Sequence, residues 1–139
     1  MILIIDSNVF MSALIRDGIT RKIITQCKER LVIPEFLFQE IRNYEEEIIS
    51  KSGLNEEEYK LLLKTLLKYF IIVPNEVLSS YRERAEDIVR KIDIDDALFI
   101  ATALAFENSV IWSNDKKLKN QNKIKIFNTE EIINMLFTN

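Results

Sequence analysis

The chain of 139 residues contains no histidine and a single cysteine, Cys27. These absences exclude an internal disulfide bond, zinc sites built from imidazole or thiolate ligands, and any catalytic triad that uses histidine as its base. Any catalysis by this chain must therefore depend on carboxylates.

Glycine and proline are also scarce, with two residues of each. The chain has no glycine-rich phosphate loop, linker or low-complexity segment, which excludes nucleotide-binding folds that need such a loop. The N-terminal apolar run is too short for a signal peptide and has no basic segment before it, and no later run approaches the length of a membrane span. With 47% apolar residues, the composition predicts one cytoplasmic globular domain over residues 1–139 and no membrane partner.

Charge is unevenly distributed, although the net charge is only −3. Residues 116–125 contain five lysines and no acid, whereas residues 40–58 are rich in glutamate. This asymmetry is consistent with a phosphate-facing patch beside a carboxylate site. A solvated lysine-rich loop is the alternative interpretation.

The N-terminal segment contains the first candidate for a functional residue. Residues 2–5 are apolar and mostly β-branched, which predicts a short strand buried on both faces in the centre of a parallel sheet. Asp6 follows that strand directly, and ligands in open α/β sheets bind outside the carboxyl ends of the strands. Asp6 is therefore a candidate site residue, while the alternative is that it only caps the next helix.

Further strands and helices are predicted to alternate along the chain, which indicates a three-layer α/β/α sandwich around a mainly parallel sheet. The predicted strands cover residues 31–33, 70–73, 110–112 and about 124–127. The predicted helices cover residues 9–14 and 19–28, about 34–49 with Pro34 in the first turn, 55–69 with Asn55 as cap, 76–91, an alanine-rich segment after Asp96, and a final helix capped by Thr129.

Three more acids are candidates for the same site. Asp96 belongs to a group of aspartates at the start of the alanine-rich helix, where a bound cation or solvent exposure would relieve their repulsion. Asp115 follows a short buried strand, as Asp6 does. Glu40 lies at the margin of a helical apolar stripe, and an exposed helical glutamate is its alternative interpretation.

If these acids converge at the switch point of the sheet, they form an oxygen-only ligand set. Such a set suits a hard cation, Mg²⁺ or Mn²⁺, which commonly pairs with substrate phosphates. Because no histidine is available as base, a metal-bound water would be the natural nucleophile. The pattern thus predicts metal-dependent phosphodiester hydrolysis.

The helix over residues 55–69 has an unusually wide apolar side of about 160°. A single neighbouring element rarely covers so much, so we expect the helical region over residues 35–69 to contribute to an oligomer or partner surface. The alternative is that both sides of this region pack within one monomer.

Four segments together resemble the PIN-domain nucleases, in particular the VapC-like toxins of toxin–antitoxin pairs. IIDSNVFMSAL resembles the family's strand-ending aspartate at Asp6, and VIPEFLFQEI resembles its second strand and acidic helix, with Glu40 as the acid. DDALFIATAL resembles the aspartate and alanine-rich helix, with Asp96, and WSNDKKL resembles the Ser/Thr-x-Asp segment, with Ser113 and Asp115.

This resemblance implies a five-stranded parallel sheet and cleavage of single-stranded RNA with one or two Mg²⁺ or Mn²⁺ ions. It also implies a homodimer and an antitoxin partner. The residues concerned are Asp6, Glu40, Asp96 and Asp115 as catalytic metal ligands, Asn8 and Ser113 as groups that orient them, Asp93 as an auxiliary acid, and Lys116, Lys117 and Lys119 as contacts to single-stranded or structured RNA.

Two other functions are compatible with parts of the pattern. An aspartyl-phosphate phosphotransferase or phosphatase of the haloacid dehalogenase type also uses an aspartate after its first strand, but Asn8 stands where that family has a second aspartate. A noncatalytic RNA- or protein-binding module would retain the acids for stability alone.

Overall fold

A five-stranded parallel sheet forms the centre of the computed structural model, which describes residues 1–90 and 96–137. The strand order is β3-β2-β1-β4-β5, so the first strand is central, as predicted. The strands are β1 (Ile2–Ile5), β2 (Arg30–Pro34), β3 (Phe70–Val73), β4 (Ser109–Trp112) and β5 (Ile126–Phe127), and all four neighbouring pairs are parallel.

Helices connect these strands. They are α1 (Ser7–Ile15), α2 (Ile19–Gln26), α3 (Leu37–Asn43), α4 (Glu45–Ser52), α5 (Glu56–Leu67), α6 (Asn75–Leu78), α7 (Arg82–Val89), α8 (Ala97–Ala105) and α9 (Thr129–Phe137), with 3₁₀ turns at Ser79–Tyr81 and Lys116–Asn120. In the part of the chain that the structure describes, no helix combines the length and the apolar character that a membrane span requires. The predicted α/β class is confirmed.

The order of the strands creates the switch point that the sequence predicts. From β1 the chain proceeds outward through β2 to β3, and then returns to the other side of β1 to form β4 and β5. Ile5 of β1 lies in register with Trp112 of β4, and both side chains are fully buried. Connections leave these two strands in opposite directions, which opens a crevice above their carboxyl ends.

Helix α8 packs against the sheet and is rich in small buried side chains. Ala97, Ala101 and Ala103 are buried, and α8 contacts β1, β2 and β4. Alanine allows this approach at no cost in helix propensity. The close packing places the first residue of α8 beside the crevice.

The region after β2 differs from the prediction. Pro34 ends β2 in register with Val73 and does not open a helix. The helix begins at Leu37 and is interrupted at Tyr44, whose φ of −114° and ψ of 12° are not helical, so α3 and α4 replace the one helix expected. A fixed proline φ also suits extended backbone, and here pairing with β3 outweighs the tolerance of proline in a first helical turn.

Two further boundaries also differ. The helix expected over residues 76–91 consists of α6, a 3₁₀ turn and α7, and Lys91 lies outside the described residues.

Asn128, not Thr129, caps α9. Its Oδ1 accepts the Glu131 N–H at 2.8 Å, and Glu131 Oε1 accepts the Asn128 N–H at 3.1 Å. The Thr129 hydroxyl instead accepts hydrogen bonds from Trp112 and Asn114. The predicted cap at Asn55 is confirmed, with a complete capping box to Glu58.

Candidate active site

An open cavity of about 680 Å³ lies at the carboxyl ends of β1 and β4. All four carboxylates singled out in the sequence line it, namely Asp6, Glu40, Asp96 and Asp115. They come from four separate segments of the chain: the end of β1, α3, the start of α8 and the turn after β4. The topology thus concentrates negative charge at one place, while the chemical roles of these residues stay predictions.

Asp6 serves as a helix cap and faces the cavity at the same time. Its Oδ1 accepts the Val9 N–H at 2.9 Å, and only 6% of the residue is exposed. Desolvation by burial raises the pKa of this carboxyl, and the negative charge of Asp115 adds to that increase. Hydrogen bonds from the Ser113 hydroxyl and the Val9 N–H oppose the increase in pKa. The two interpretations of Asp6 that the sequence left open are therefore compatible in geometry.

Glu40 is oriented by a serine that the sequence analysis did not select. The Ser7 hydroxyl donates to Glu40 Oε1 at 2.6 Å, and Ser7 is buried in the first turn of α1. A short hydrogen bond to a carboxylate is among the stronger kinds in proteins. The sequence signal was a hydroxyl directly after the strand-ending aspartate, but its partner is 33 residues away and depends on how α1 meets α3.

Asp115 is held by the turn that follows β4. Its own N–H donates to Ser113 Oγ at 3.1 Å, and its Oδ1 accepts the Lys117 N–H at 3.0 Å. Ser113 is 1% exposed and interacts with both Asp6 and Asp115, while its orienting role stays a prediction. This serine therefore links the ends of the two central strands.

Asp96 and its neighbours complete the acidic end of the cavity. Asp96 is half-buried at the N-cap position of α8 and makes no capping hydrogen bond to its own helix. Asn8 is exposed and lines the cavity beside Asp6. Asp93, predicted as an auxiliary acid, lies outside the described residues.

The three lysines predicted to contact RNA lie outside this cavity. Lys116 and Lys117 are exposed in the 3₁₀ turn after Asp115. Lys119 forms an ion pair with Glu131 of α9. The structure thus leaves their contact with substrate as a prediction, and Lys119 already has a partner.

The other end of the cavity is cationic, which the sequence analysis missed. Arg16 and Lys51 line it, together with the half-exposed ring of Tyr44. Lys51 pairs with Glu47 at 2.8 Å, whereas Arg16 is in no ion pair within residues 1–90 and 96–137. Helix α1 runs between the two ends, and a rise of 1.5 Å per residue separates Ser7 from Arg16 by about 13 Å.

Helical periodicity was the signal that could have revealed this lining. Asn8, Met11, Ser12 and Ile15 occupy one face of α1 at the spacing i, i+3, i+4 and i+7. A similar spacing relates the lining residues of the second wall, which are Glu40, Tyr44, Glu47, Ile48 and Lys51. Nothing in either segment alone indicates that the two faces oppose each other across a cavity.

The carboxylates line one cavity but are not gathered into a finished metal site. Within the described ranges, no three carboxylate, thiol or imidazole groups are arranged so that they could hold a metal ion. The donor set is nevertheless the oxygen-only kind that Mg²⁺ and Mn²⁺ prefer. Burial raises the pKa of Asp6 because it disfavours the charged carboxylate, and Asp115 adds to that increase; a cation would stabilise the charged form.

The fold and this cavity define a doubly wound α/β protein with an acidic cleft at its switch point. Comparison with known families gives the assignment: the family model described as PIN domain matches residues 4–136. The chain belongs to the PIN-domain family.

Solved structures include a related fold. The chain is similar to one in the crystal structure of VapBC2 from Rickettsia felis bound to a DNA fragment from their promoter. The match has a TM-score of 0.68 and 18% sequence identity, and it covers 92% of this chain and 98% of the other. No curated protein matches the chain in sequence.

Proposed function

We propose that this PIN-domain protein is a metal-dependent endoribonuclease that cleaves single-stranded RNA and acts as the toxin of a toxin–antitoxin pair. The observation that carries the proposal is the convergence of Asp6, Glu40, Asp96 and Asp115 on one cavity at the switch point. Membership of the PIN-domain family and the similarity to the VapBC2 structure support it.

The four carboxylates would hold the metal. When bound, Mg²⁺ or Mn²⁺ would supply charge stabilisation at the phosphoryl oxygens and lower the pKa of water. Asp6 and Glu40 are oriented in advance by Val9, Ser113 and Ser7, which limits the reorganisation needed on binding. Because like charges resist closer approach, we expect the carboxylates to assemble fully only around a cation.

The cationic end of the cavity would position the RNA strand. Arg16 has no ion-pair partner among the described residues and can neutralise a phosphate. The ring of Tyr44, which is 51% exposed, offers a surface on which a base can stack. A strand bound along α1 would thus have one phosphate near Arg16 and another near the carboxylates.

Cleavage of a labelled single-stranded RNA tests the proposal. Wild type, Asp96→Asn and the control Glu107→Gln, an exposed acid between α8 and β4, would each be assayed with Mg²⁺, Mn²⁺ or EDTA. We expect cleavage by wild type and by Glu107→Gln, none in EDTA, and a loss of at least about 100-fold in Asp96→Asn. Cleavage that is equal for wild type and a folded Asp96→Asn and unaffected by EDTA would contradict the proposal, and no cleavage by folded wild type in any condition would favour a noncatalytic binding module.

We further propose an antitoxin partner and a homodimer. The VapBC2 structure supports the first. Exposed apolar side chains around β3 support the second, since Ile71 is 49% exposed, Ile72 40% and Val77 52%. Three exposed apolar side chains around one edge strand are typical of an interaction surface.

A further inference from the structure

A second groove, of about 690 Å³, lies between α7 and the segment that follows the 3₁₀ turn. We call it the amide groove. Ile88 is the one apolar residue among those that line it; the others are Arg84, Asp87, Lys119, Asn120, Gln121, Asn122 and Lys123. Its lining thus consists almost entirely of charged and amide side chains.

The loop that forms one wall is held by a single side chain. The Gln121 amide donates to the carbonyls of Leu118 at 3.0 Å and Ile124 at 2.8 Å. Its Oε1 accepts the N–H groups of Lys123 and Ile124, each at 2.9 Å. All four bonds are to backbone, so this loop has a defined shape although it lacks regular secondary structure. The neighbouring side chains of Asn120, Asn122 and Lys123 are exposed.

The charges of the groove are only partly compensated. Asp87 pairs with Arg90, and Lys119 pairs with Glu131. Among the residues that the structure describes, neither Arg84 nor Lys123 takes part in an ion pair. The groove therefore presents one cation, Arg84, on α7, and Lys123 with the two amide side chains on the preformed loop opposite.

Resting on the proposed nuclease function, we infer that the amide groove binds the single-stranded RNA beyond the cleavage site. Arg84 and Lys123 suit phosphates, and Asn120 and Asn122 suit base edges or ribose hydroxyls. A peptide-binding groove would normally offer more apolar surface than Ile88 alone provides.

The path of the chain supports continuity between the two sites. Asp115 lines the acidic cavity, and the 3₁₀ turn Lys116–Asn120 leads from it directly to the amide groove. With a rise of about 2 Å per residue, this turn spans about 10 Å, a distance that a short stretch of RNA can bridge. One bound strand could therefore occupy both sites.

The double variant Arg84→Gln/Lys123→Gln tests the inference, with Arg30→Gln/Lys64→Gln as a control of identical charge change outside both cavities. All four side chains are exposed, so both variants should fold, which thermal unfolding would verify. Binding of a labelled single-stranded RNA of about 16 nucleotides, a length typical of such sites, would be measured in EDTA so that no cleavage occurs. Salt would range from about 50 to 200 mM.

We expect the groove variant to bind this RNA about tenfold more weakly and to reduce the slope of log K against log salt by about 1.4, or 0.7 for each lost phosphate contact. The control should bind like wild type. In cleavage assays KM should rise for the long RNA with kcat unchanged, and an RNA of about four nucleotides should be unaffected.

Wild-type affinity and salt slope in the groove variant would overturn the inference, as would equal weakening by the control. Weakened binding of an acidic peptide with unchanged binding of RNA would also overturn it and indicate a protein partner. Because binding is measured without metal, RNA binding through the groove without any cleavage would refute the proposed nuclease and leave only RNA binding by the groove standing. If wild type cleaves RNA but the groove variant binds RNA normally, the groove inference is refuted and the nuclease proposal is kept.

Discussion

The junction of β1 and β4 and the outer edge at β3 depart from the usual distribution of side chains in opposite ways. At the junction, carboxylates lie where the last residues of β1 and β4, Ile5 and Trp112, are fully buried, and Asp6 itself is 6% exposed. At the β3 edge, Ile71 and Ile72 are 49% and 40% exposed. A buried charge is costly unless it serves chemistry or has partners, whereas exposed apolar surface is costly unless another molecule covers it. The two regions therefore support the two separate proposals made above, catalysis at the junction and association at the edge.

The largest expected effect is at the junction, in the variant Asp6→Asn. The amide can still accept the Val9 N–H, but it removes the charge that a metal requires. We expect RNA cleavage to fall at least about 100-fold while the Tm stays equal to or above that of wild type, since desolvation and Asp115 both disfavour the Asp6 carboxylate. Activity assays and thermal unfolding in EDTA would check both parts. A Tm several degrees lower with activity retained would mean that Asp6 serves the fold rather than catalysis.

An intermediate effect is expected at the β3 edge, in the variant Ile72→Lys. A lysine on an edge strand opposes pairing with another chain and places a charge within an apolar contact. We expect at least about a tenfold weakening of self-association by analytical ultracentrifugation. Ile19→Lys, at a residue of α2 that is 53% exposed, is the matched control and should leave the dimer intact. A monomeric wild type, or a dimer unaffected by Ile72→Lys, would refute a dimer formed through this edge.

The smallest effect concerns Tyr59 of α5, the helix that contacts α1 beside the cavity and leads into β3. Its hydroxyl is buried without a hydrogen-bond partner among the described residues, and burial together with Glu45 raises its pKa to about 12. Tyr59→Phe removes a desolvated polar group, so we expect the free energy of unfolding at neutral pH to stay the same or to rise by up to about 1 kcal/mol.

The pH dependence of the same variant has a definite sign. Above pH 10 the unfolded tyrosine loses its proton while the folded one keeps it up to about 12, so wild type should lose stability in this range. Tyr59→Phe should lack that loss, and Tyr69→Phe, at a residue that is 44% exposed, should behave like wild type. Thermal unfolding below pH 10 and between pH 10 and 12 would measure the difference. A clear destabilisation by Tyr59→Phe would indicate that its hydroxyl has a partner.

The wide apolar side of α5 shows how far the sequence predicts the association surface. Tyr59 and Leu66 are fully covered within the monomer, and Leu62, Leu63 and Leu67 are half-buried against the core. Exposed apolar residues close to α5 in sequence include Leu61 outside the stripe, Tyr69 at its end, and Ile71, Ile72 and Val77 at β3 and α6. Periodicity reports which face is apolar, but the neighbours that cover it are set by packing.

Much of the fold was predictable because its signals act over a few residues. The apolar run before Asp6 defines β1, the capping box of Asn55 and Glu58 begins α5, and alanines allow α8 to approach the sheet. The predicted start of α9 was wrong because two local preferences compete there. Asn128 and Thr129 are both good caps, and the choice followed from the hydrogen bonds that Trp112 and Asn114 make to the Thr129 hydroxyl.

By itself, the sequence determined that Asp6 and Asp115 follow buried strands and that histidine catalysis and an internal disulfide are excluded, because residue type and strand-end position are local properties. Only the tertiary structure decided that Ser7 reaches Glu40 and that Arg16 and Lys51 line the same cavity as the acids. These arrangements depend on the packing of α1 against α3 and α4, elements separated by tens of residues. The relative position of such helices results from the shape of the whole core, which no short segment specifies.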